Sequence, residues 1–209
     1  MGRLMPATPS CASPRPATAP VRIASGRKCR APADASDVAG MNDYGLTGAT
    51  TGAEVLLELP VDAVWAGITA IDRYGDWSPE CCYGAWLDDA DRPVAGARFE
   101  ARNRFSDGYE TYVTCTVTIA DEPLRFGWDV YGDEDVPFAH WEYELQPRGS
   151  STLVMQSFAH GPGDSGLRAG VRQQPDRAAE VIQGRLDQLS ANMRKTLLAM
   201  QEALQQTRF

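Results

Sequence analysis

Between residues 80 and 158 the sequence alternates apolar and polar residues in six successive runs, and a turn signal closes each run. Alternation with a period of two places every second side chain on the same face of a strand. In the clearest run, residues 109–119, Cys115 and Ile119 fall on the same face. A further partly apolar run precedes these at residues 54–59. The pattern predicts a seven-stranded antiparallel sheet whose strands follow one another along the chain.

Helical patterns flank these strands. Residues 61–68 place apolar side chains at positions i, i+3, i+4 and i+7, and another helical turn is expected at residues 71–74. From Val181 to Leu204, apolar residues recur in steps of three and four, which predicts one long helix with a narrow apolar seam. A long antiparallel sheet curls, and this helix can cover its concave apolar face. Seven strands wrapped around one helix are expected to leave apolar space for a ligand.

The N-terminal region differs from the rest of the chain. Residues 1–40 are rich in Pro, Ala, Ser and Arg and contain almost no large apolar side chains. Such a segment cannot bury enough surface to offset the entropy lost on ordering. We therefore predict a disordered tail at residues 1–47 and a folded domain at residues 48–209. An organelle transit peptide, or translation from Met41, are alternative interpretations of this tail.

Composition disfavours several classes of function. The net charge of -8 at pH 7 would repel phosphate backbones and anionic membranes. The sequence has no run of 18 apolar residues, so no membrane insertion is predicted. Its five cysteines form no CxxC pair or Cys/His cluster. We predict no metal, no cofactor and no nucleic-acid partner, a cytoplasmic location, and a monomer or homodimer.

Four segments are distinctive: residues 62–65 (Asp-Ala-Val-Trp), 73–80 (Arg-Tyr-Gly-Asp-Trp-Ser-Pro-Glu), 96–99 (Gly-Ala-Arg-Phe) and 141–145 (Trp-Glu-Tyr-Glu-Leu). With the terminal helix, they resemble the SRPBCC superfamily, in its polyketide cyclase/dehydrase-like branch, over about residues 52–205. This superfamily includes START lipid carriers, pollen-allergen-like plant proteins and aromatic polyketide cyclases. The resemblance implies an α+β helix-grip fold and a hydrophobic small-molecule ligand. Because one fold hosts many functions, it does not decide between carrying and catalysis.

The side chains that we expect to line the ligand cavity lie on the aromatic-rich faces of the strands, on the seam of the terminal helix and, for Trp77, in the segment that leads from the short helices into the second strand. They are Trp77, Asn103, Val113, Cys115, Phe126, Trp128, Trp141, Tyr143, Gln156, Phe158, Leu189 and Met193. In the last strand, the inward face with Gln156 and Phe158 is chosen by analogy with the family, and the face with Leu153 and Met155 is the alternative. Asn103 and Gln156 need hydrogen bonds on an apolar face, either from neighbours or from a ligand.

Two residues are candidates for acid–base catalysis. Glu80 begins a strand, where its carboxylate is either a general base at the cavity mouth or a solvated strand end. His160 lies on the same predicted inward face as Phe158, near the expected end of the last strand. Histidine titrates near neutral pH. Since no nucleophile, phosphate-loop or dinucleotide motif is present, an enzyme would be restricted to cofactor-free aldol cyclisation or dehydration.

We predict that the domain binds a hydrophobic small molecule, lipid-like or an aromatic or polyketide metabolite, as a carrier or sensor or with cyclase-like activity. The alternatives are a polyketide cyclase or aromatase, and an interaction module with a collapsed cavity. Catalysis predicts that Glu80, Asn103, Gln156 and His160 converge within hydrogen-bond reach, whereas binding alone allows them to be dispersed. A filled interior would favour the interaction module.

Overall fold

The computed structural model describes residues 43–206 and contains seven strands in that range. The strands are β1 Thr50–Leu57, β2 Cys81–Trp86, β3 Arg98–Arg104, β4 Glu110–Asp121, β5 Arg125–Tyr131, β6 Ala139–Arg148 and β7 Ser151–His160. They form one sheet in the order β1-β7-β6-β5-β4-β3-β2. Every neighbouring pair is antiparallel, and β1 pairs with β7 with Thr50 opposite Ala159. The predicted seven-stranded antiparallel sheet is confirmed.

The helices lie between β1 and β2 and after β7. They are α1 Val61–Thr69, α2 Tyr74–Trp77, α3 Gly166–Gln173 and α4 Ala178–Gln206, with 3-10 turns at Ile71–Arg73 and Pro175–Arg177. The predicted seam of α4 is buried, including Leu186, Leu189, Met193 and Leu197. The α+β helix-grip architecture is therefore confirmed. Among residues 43–206, no helix is long and apolar enough to cross a membrane.

Side chains of α4 reach both edges of the sheet. At the β1 edge, Ser190 Oγ donates to the carbonyl oxygen of Gly52 at 2.8 Å, and Arg194 donates to another carbonyl of the same strand at 3.0 Å. At the β2 edge, the guanidinium of Arg185 pairs with Glu80, which directly precedes β2. These contacts satisfy edge-strand groups and hold α4 across the open side of the curled sheet.

The strand β4 contains a bulge at Thr118, where the register with β5 shifts. An additional residue reverses the alternation of side chains beyond it. Ile119 therefore lies opposite Gly127 on the outer face, with its Cδ1 atom 3.3 Å from where a Cβ at residue 127 would stand. Ala120 packs against the core instead. The predicted placement of Ile119 on the same face as Cys115 is wrong for this reason.

The described chain packs onto the domain from its first residues. Leu46 is fully buried. Asp43 and Thr47 both accept hydrogen bonds from the guanidinium of Arg168 in α3. The packed domain thus begins before residue 48, and residues 43–47, assigned to the tail from composition, belong to it. The rest of the predicted tail, residues 1–42, lies outside the described residues.

A candidate ligand cavity

A cavity of about 900 Å³ lies between the concave face of the sheet and α4. Its wall is mainly apolar and aromatic, with Leu189 and Met193 contributed by α4. Exposed charged side chains, among them Asp133, Glu134 and Arg172, border it on one side and mark where it meets solvent. Small-molecule sites commonly enclose about 300–1,000 Å³. A space of this volume argues against the collapsed-interior alternative.

One wall of the cavity is a row of aromatic rings from three neighbouring strands. Trp128 of β5 lies opposite Trp141 of β6, which lies opposite Phe158 of β7. The two indole rings are stacked, with centroids 6.3 Å apart and an interplanar angle of 7°. Phe158 meets Trp141 edge to face at 5.0 Å. Such a wall offers flat apolar surfaces to a ring-containing ligand.

A second cross-strand row places two polar side chains together, Tyr143 opposite Gln156. The hydroxyl of Tyr74 donates to the carbonyl oxygen of Ile68 at 2.7 Å, and it lies 3.4 Å from the hydroxyl of Tyr143. Burial raises the pKa of Tyr143 to about 12, and this hydroxyl stays protonated at neutral pH. The buried Oε1 atom of Gln156 has no hydrogen-bond partner among residues 43–206. A ligand donor at this point would satisfy it.

His160 lies on the same face of β7, at the end of the strand, and it also lines the cavity. Its Nδ1 atom is 2.7 Å from the carbonyl oxygen of Gly161, and its Nε2 atom is 2.9 Å from Ser165 Oγ. Burial lowers the pKa of His160, with a smaller effect in the same direction from Arg168. The hydrogen bond to Gly161 and the charge of Asp43 oppose this shift without cancelling it.

We expect acidification to destabilise the domain in part through His160. Because its pKa is lower in the folded state than the usual 6.5, the unfolded chain binds more protons below about pH 6.5. Stability is therefore lost as the pH falls from the unfolded pKa towards the folded one. Urea unfolding of His160→Gln should show a smaller loss between pH 7 and pH 5.5 than the wild type. Equal losses would contradict this assignment, and the two proteins should have matching slopes above pH 7.5.

Glu80 lines the cavity but is held by two side chains of α4. Arg185 donates to both carboxylate oxygens, at 2.6 and 2.9 Å, and Asn192 Nδ2 donates to one of them at 2.9 Å. A carboxylate engaged in this way joins α4 to the start of β2 and is a poor general base. Asn103 is also engaged, since its Nδ2 atom donates to Thr111 Oγ1 at 3.3 Å. Within residues 43–206, no group of His, Cys, Asp and Glu side chains is arranged to hold a metal.

The predicted lining residues divide into two groups. Those that the structure places on the cavity are Asn103, Val113, Cys115, Trp128, Trp141, Tyr143, Gln156, Phe158, Leu189 and Met193. Trp77 and Phe126 are buried elsewhere: Trp77 packs against Tyr74, and Phe126 meets Trp65 of α1 at 6.2 Å. Both are core residues in this arrangement. Contact of any of these residues with a ligand stays a prediction.

Sequence reasoning missed several residues that line the cavity. Arg185 and Asn192 are seven residues apart on α4, so they share the helix face that carries Leu189. That spacing could have indicated that Arg185 and Asn192 face the cavity. No sequence pattern indicated Ser165 or Tyr74, because each of these residues reaches its hydrogen-bond partner only when the chain is folded.

The fold and the cavity define a helix-grip domain with an internal, ligand-sized space. A family model described as polyketide cyclase / dehydrase and lipid transport matches residues 49–197. The chain belongs to this family, which confirms the resemblance seen in its motifs. No curated protein matches the chain.

Solved structures with a similar fold include three bacterial proteins. The Polyketide_cyc-like protein Cgl2372 from Corynebacterium glutamicum is 29% identical, with a TM-score of 0.53, over 75% of this chain and 91% of its own. The ZhuI aromatase/cyclase from Streptomyces sp. R1128 is 15% identical, with a TM-score of 0.57, over 75% and 93%. Ms6760 from Mycobacterium smegmatis is 15% identical, with a TM-score of 0.54, over 76% and 92%.

Proposed function

We propose that the domain binds a ring-containing apolar small molecule, lipid-like or aromatic, and acts as a carrier or sensor of it. The observation that carries this proposal is the cavity of about 900 Å³ with its aromatic wall and the unpartnered amide oxygen of Gln156. The wall supplies apolar contact for rings, and the amide oxygen accepts a hydrogen bond from a hydroxyl or amine on the ligand. Hydrophobic ligand binding also agrees with the family.

The distribution of polar side chains favours binding over cyclisation. Gln156 and His160 lie four residues apart on β7, roughly 13 Å at about 3.3 Å per residue. Glu80 directly precedes β2 and Asn103 lies on β3 opposite Cys81, and both are already engaged, by Arg185 and Thr111. Two of the four groups are already engaged and the other two are separated along β7, which disfavours a general acid and a general base acting on one reacting atom.

Aromatase or cyclase activity is the second candidate. The family of the chain includes cyclases, and Tyr143 offers a protonated hydroxyl inside the cavity. An enzyme of this kind would rely on holding a flexible substrate in a cyclisation-ready shape, with single donors at its carbonyl oxygens. Release of a cyclised product from a synthetic poly-β-ketone analogue, above the rate in buffer, would support this candidate.

We expect Gln156→Leu to have opposite effects on the empty protein and on ligand binding. Removing a buried amide whose oxygen atom is unsatisfied should raise the free energy of unfolding by about 1 kcal/mol. Loss of the acceptor should weaken a hydroxylated ligand about tenfold and leave its parent hydrocarbon unaffected. Urea unfolding tests the first effect. Displacement of the dye ANS by 9-hydroxyphenanthrene and by phenanthrene tests the second.

Gln183→Leu provides the control, because Gln183 is exposed on α4 and does not line the cavity. Both displacement midpoints should match the wild type in this variant. If Gln156→Leu weakens both compounds equally, Gln156 is not a hydroxyl anchor. If the wild type binds neither ANS nor either compound, the proposed function itself is wrong.

A further inference from the structure

A serine and a histidine are paired where β7 leads into α3. His160 is the last residue of β7, and Ser165 is the N-cap of α3. Both line the cavity, and their side chains are hydrogen-bonded to each other at 2.9 Å. Neither the family match nor the proposed ligand-binding function assigns a role to this pair.

The hydrogen bonds determine which atom carries each proton. The carbonyl oxygen of Gly161 can only accept, so the Nδ1 atom of His160 carries the hydrogen of that 2.7 Å bond. In the neutral ring the Nε2 atom is then an acceptor, and the hydroxyl of Ser165 donates to it. The neutral ring is favoured at pH 7 because burial lowers the pKa of His160. This is the arrangement of a nucleophile, a base and a group that orients the base.

The position of Ser165 at the start of α3 favours negative charge on its oxygen. The backbone N–H of Arg168 donates to Ser165 Oγ at 3.0 Å. The first N–H groups of a helix have no partner within the helix, and the helix dipole is positive at this end. The N–H groups of Gly166 and Leu167 therefore lie where a developing oxyanion could be bound, and both residues line the cavity.

We propose that Ser165 is a nucleophile, activated by His160, that accepts an acyl group from an apolar ester or thioester held in the cavity. Ser165 Oγ attacks the carbonyl carbon while its proton passes to the Nε2 atom of His160. The C–O or C–S bond of the ligand breaks, and the leaving alcohol or thiol takes that proton. Water then attacks the serine ester with His160 as the base, which releases a carboxylic acid and restores the hydroxyl of Ser165.

The cavity explains why the acyl group would be apolar. The ring of Phe158 lies edge to face with that of His160, with centroids 6.3 Å apart, and the aromatic wall continues from there to Trp141. An ester carbonyl at Ser165 would thus have its hydrophobic portion against this wall. A serine that only capped α3 would need no access from the cavity, whereas Ser165 has it.

The test uses the full chain with a fluorophosphonate probe and with p-nitrophenyl esters of increasing acyl length. We expect the probe to add covalently to the peptide containing Ser165, as seen by mass spectrometry. We also expect p-nitrophenolate release at least about 100-fold above buffer, and faster for octanoate than for acetate. His160→Gln and Ser165→Asn should both lose the adduct and return the rate to that of buffer.

The Ser165→Asn variant separates a nucleophile from a helix cap, because asparagine caps helices about as well as serine. It should keep the wild-type melting temperature and still bind ANS. Ser157→Ala, on the exposed face of β7, should keep both adduct and turnover. No adduct on the wild type, an adduct at another residue, or full turnover by Ser165→Asn would overturn the proposal. ANS binding by a wild type that forms no adduct would leave the proposed ligand-binding function standing.

Discussion

Replacement of Trp128 with alanine is expected to lower the free energy of unfolding by about 3–5 kcal/mol. The indole ring is 8% exposed, and it contacts aromatic rings on β3, on β6 and further along its own strand. Those rings are Phe99 at 6.0 Å, Phe126 at 5.1 Å, Trp141 at 6.3 Å and Tyr143 at 5.8 Å. Its removal leaves a hole that surrounding backbone cannot close. The same truncation removes part of the aromatic wall, so ANS should bind more weakly to the folded variant.

Urea unfolding followed by far-ultraviolet circular dichroism measures the first effect, and ANS titration in the absence of urea measures the second. Trp86→Ala is the matched control, because Trp86 is half-buried beside Phe99 and does not line the cavity. It should cost less stability and leave the ANS affinity unchanged. If the alanine variant does not fold, Trp128→Phe can be measured instead, because it keeps an aromatic ring in place. Unchanged ANS affinity in a destabilised Trp128 variant would make this residue a packing element only.

The strands and the long helix were predictable because their patterns report burial directly. In β7, every second residue from Thr152 to Phe158 is buried, as expected for the face that was chosen by analogy with the family. The seam of α4 follows the same logic with a helical period. The bulge at Thr118 could not be predicted, because the residues around it still alternate regularly in the sequence. A local pattern shows which face is apolar, and it does not count the residues on the opposing strand.

The alternation of side chains along a strand also cannot distinguish residues that line a cavity from residues in a filled core. Phe126 and Trp128 point to the same side of β5, yet only Trp128 lines the cavity. The difference arises because Trp65 of α1 covers Phe126. Which inward residues are covered depends on where the short helices pack, and the spacing along a strand contains no information on that.

Neither alternative for Glu80, a general base or a solvated strand end, anticipated its long-range partner. The sequence shows an acidic residue at a strand start, and Arg185 follows 105 residues later. Their bidentate contact requires α4 to cross from one sheet edge to the other. The pairing of His160 with Ser165 is short-range in sequence, but it depends on the turn between β7 and α3. Chemistry of this kind becomes visible only when the packing of these elements is known.

Two glycine-to-alanine substitutions are expected to change stability in opposite directions. Gly84 is buried in β2, where a Cβ atom would lie 2.9 Å from Ile71 Cγ2 and closer still to the carbonyl oxygen of Ile71. Backbone cannot yield as a flexible side chain does, so β2 and the 3-10 turn at Ile71–Arg73 would have to separate. We expect Gly84→Ala to lower the free energy of unfolding by about 3 kcal/mol.

Gly184 lies in α4, and a Cβ atom there would meet nothing within 4 Å. Alanine favours a helix over glycine by about 1 kcal/mol, so Gly184→Ala should raise the free energy of unfolding by about that amount. Both substitutions restrict the unfolded chain to a similar extent, and the difference between them, about 4 kcal/mol, therefore measures packing at Gly84. Urea unfolding of the two variants beside the wild type gives this difference. Wild-type stability in Gly84→Ala would mean that β2 and the 3-10 turn are not in close contact, and this end of the cavity would then be open.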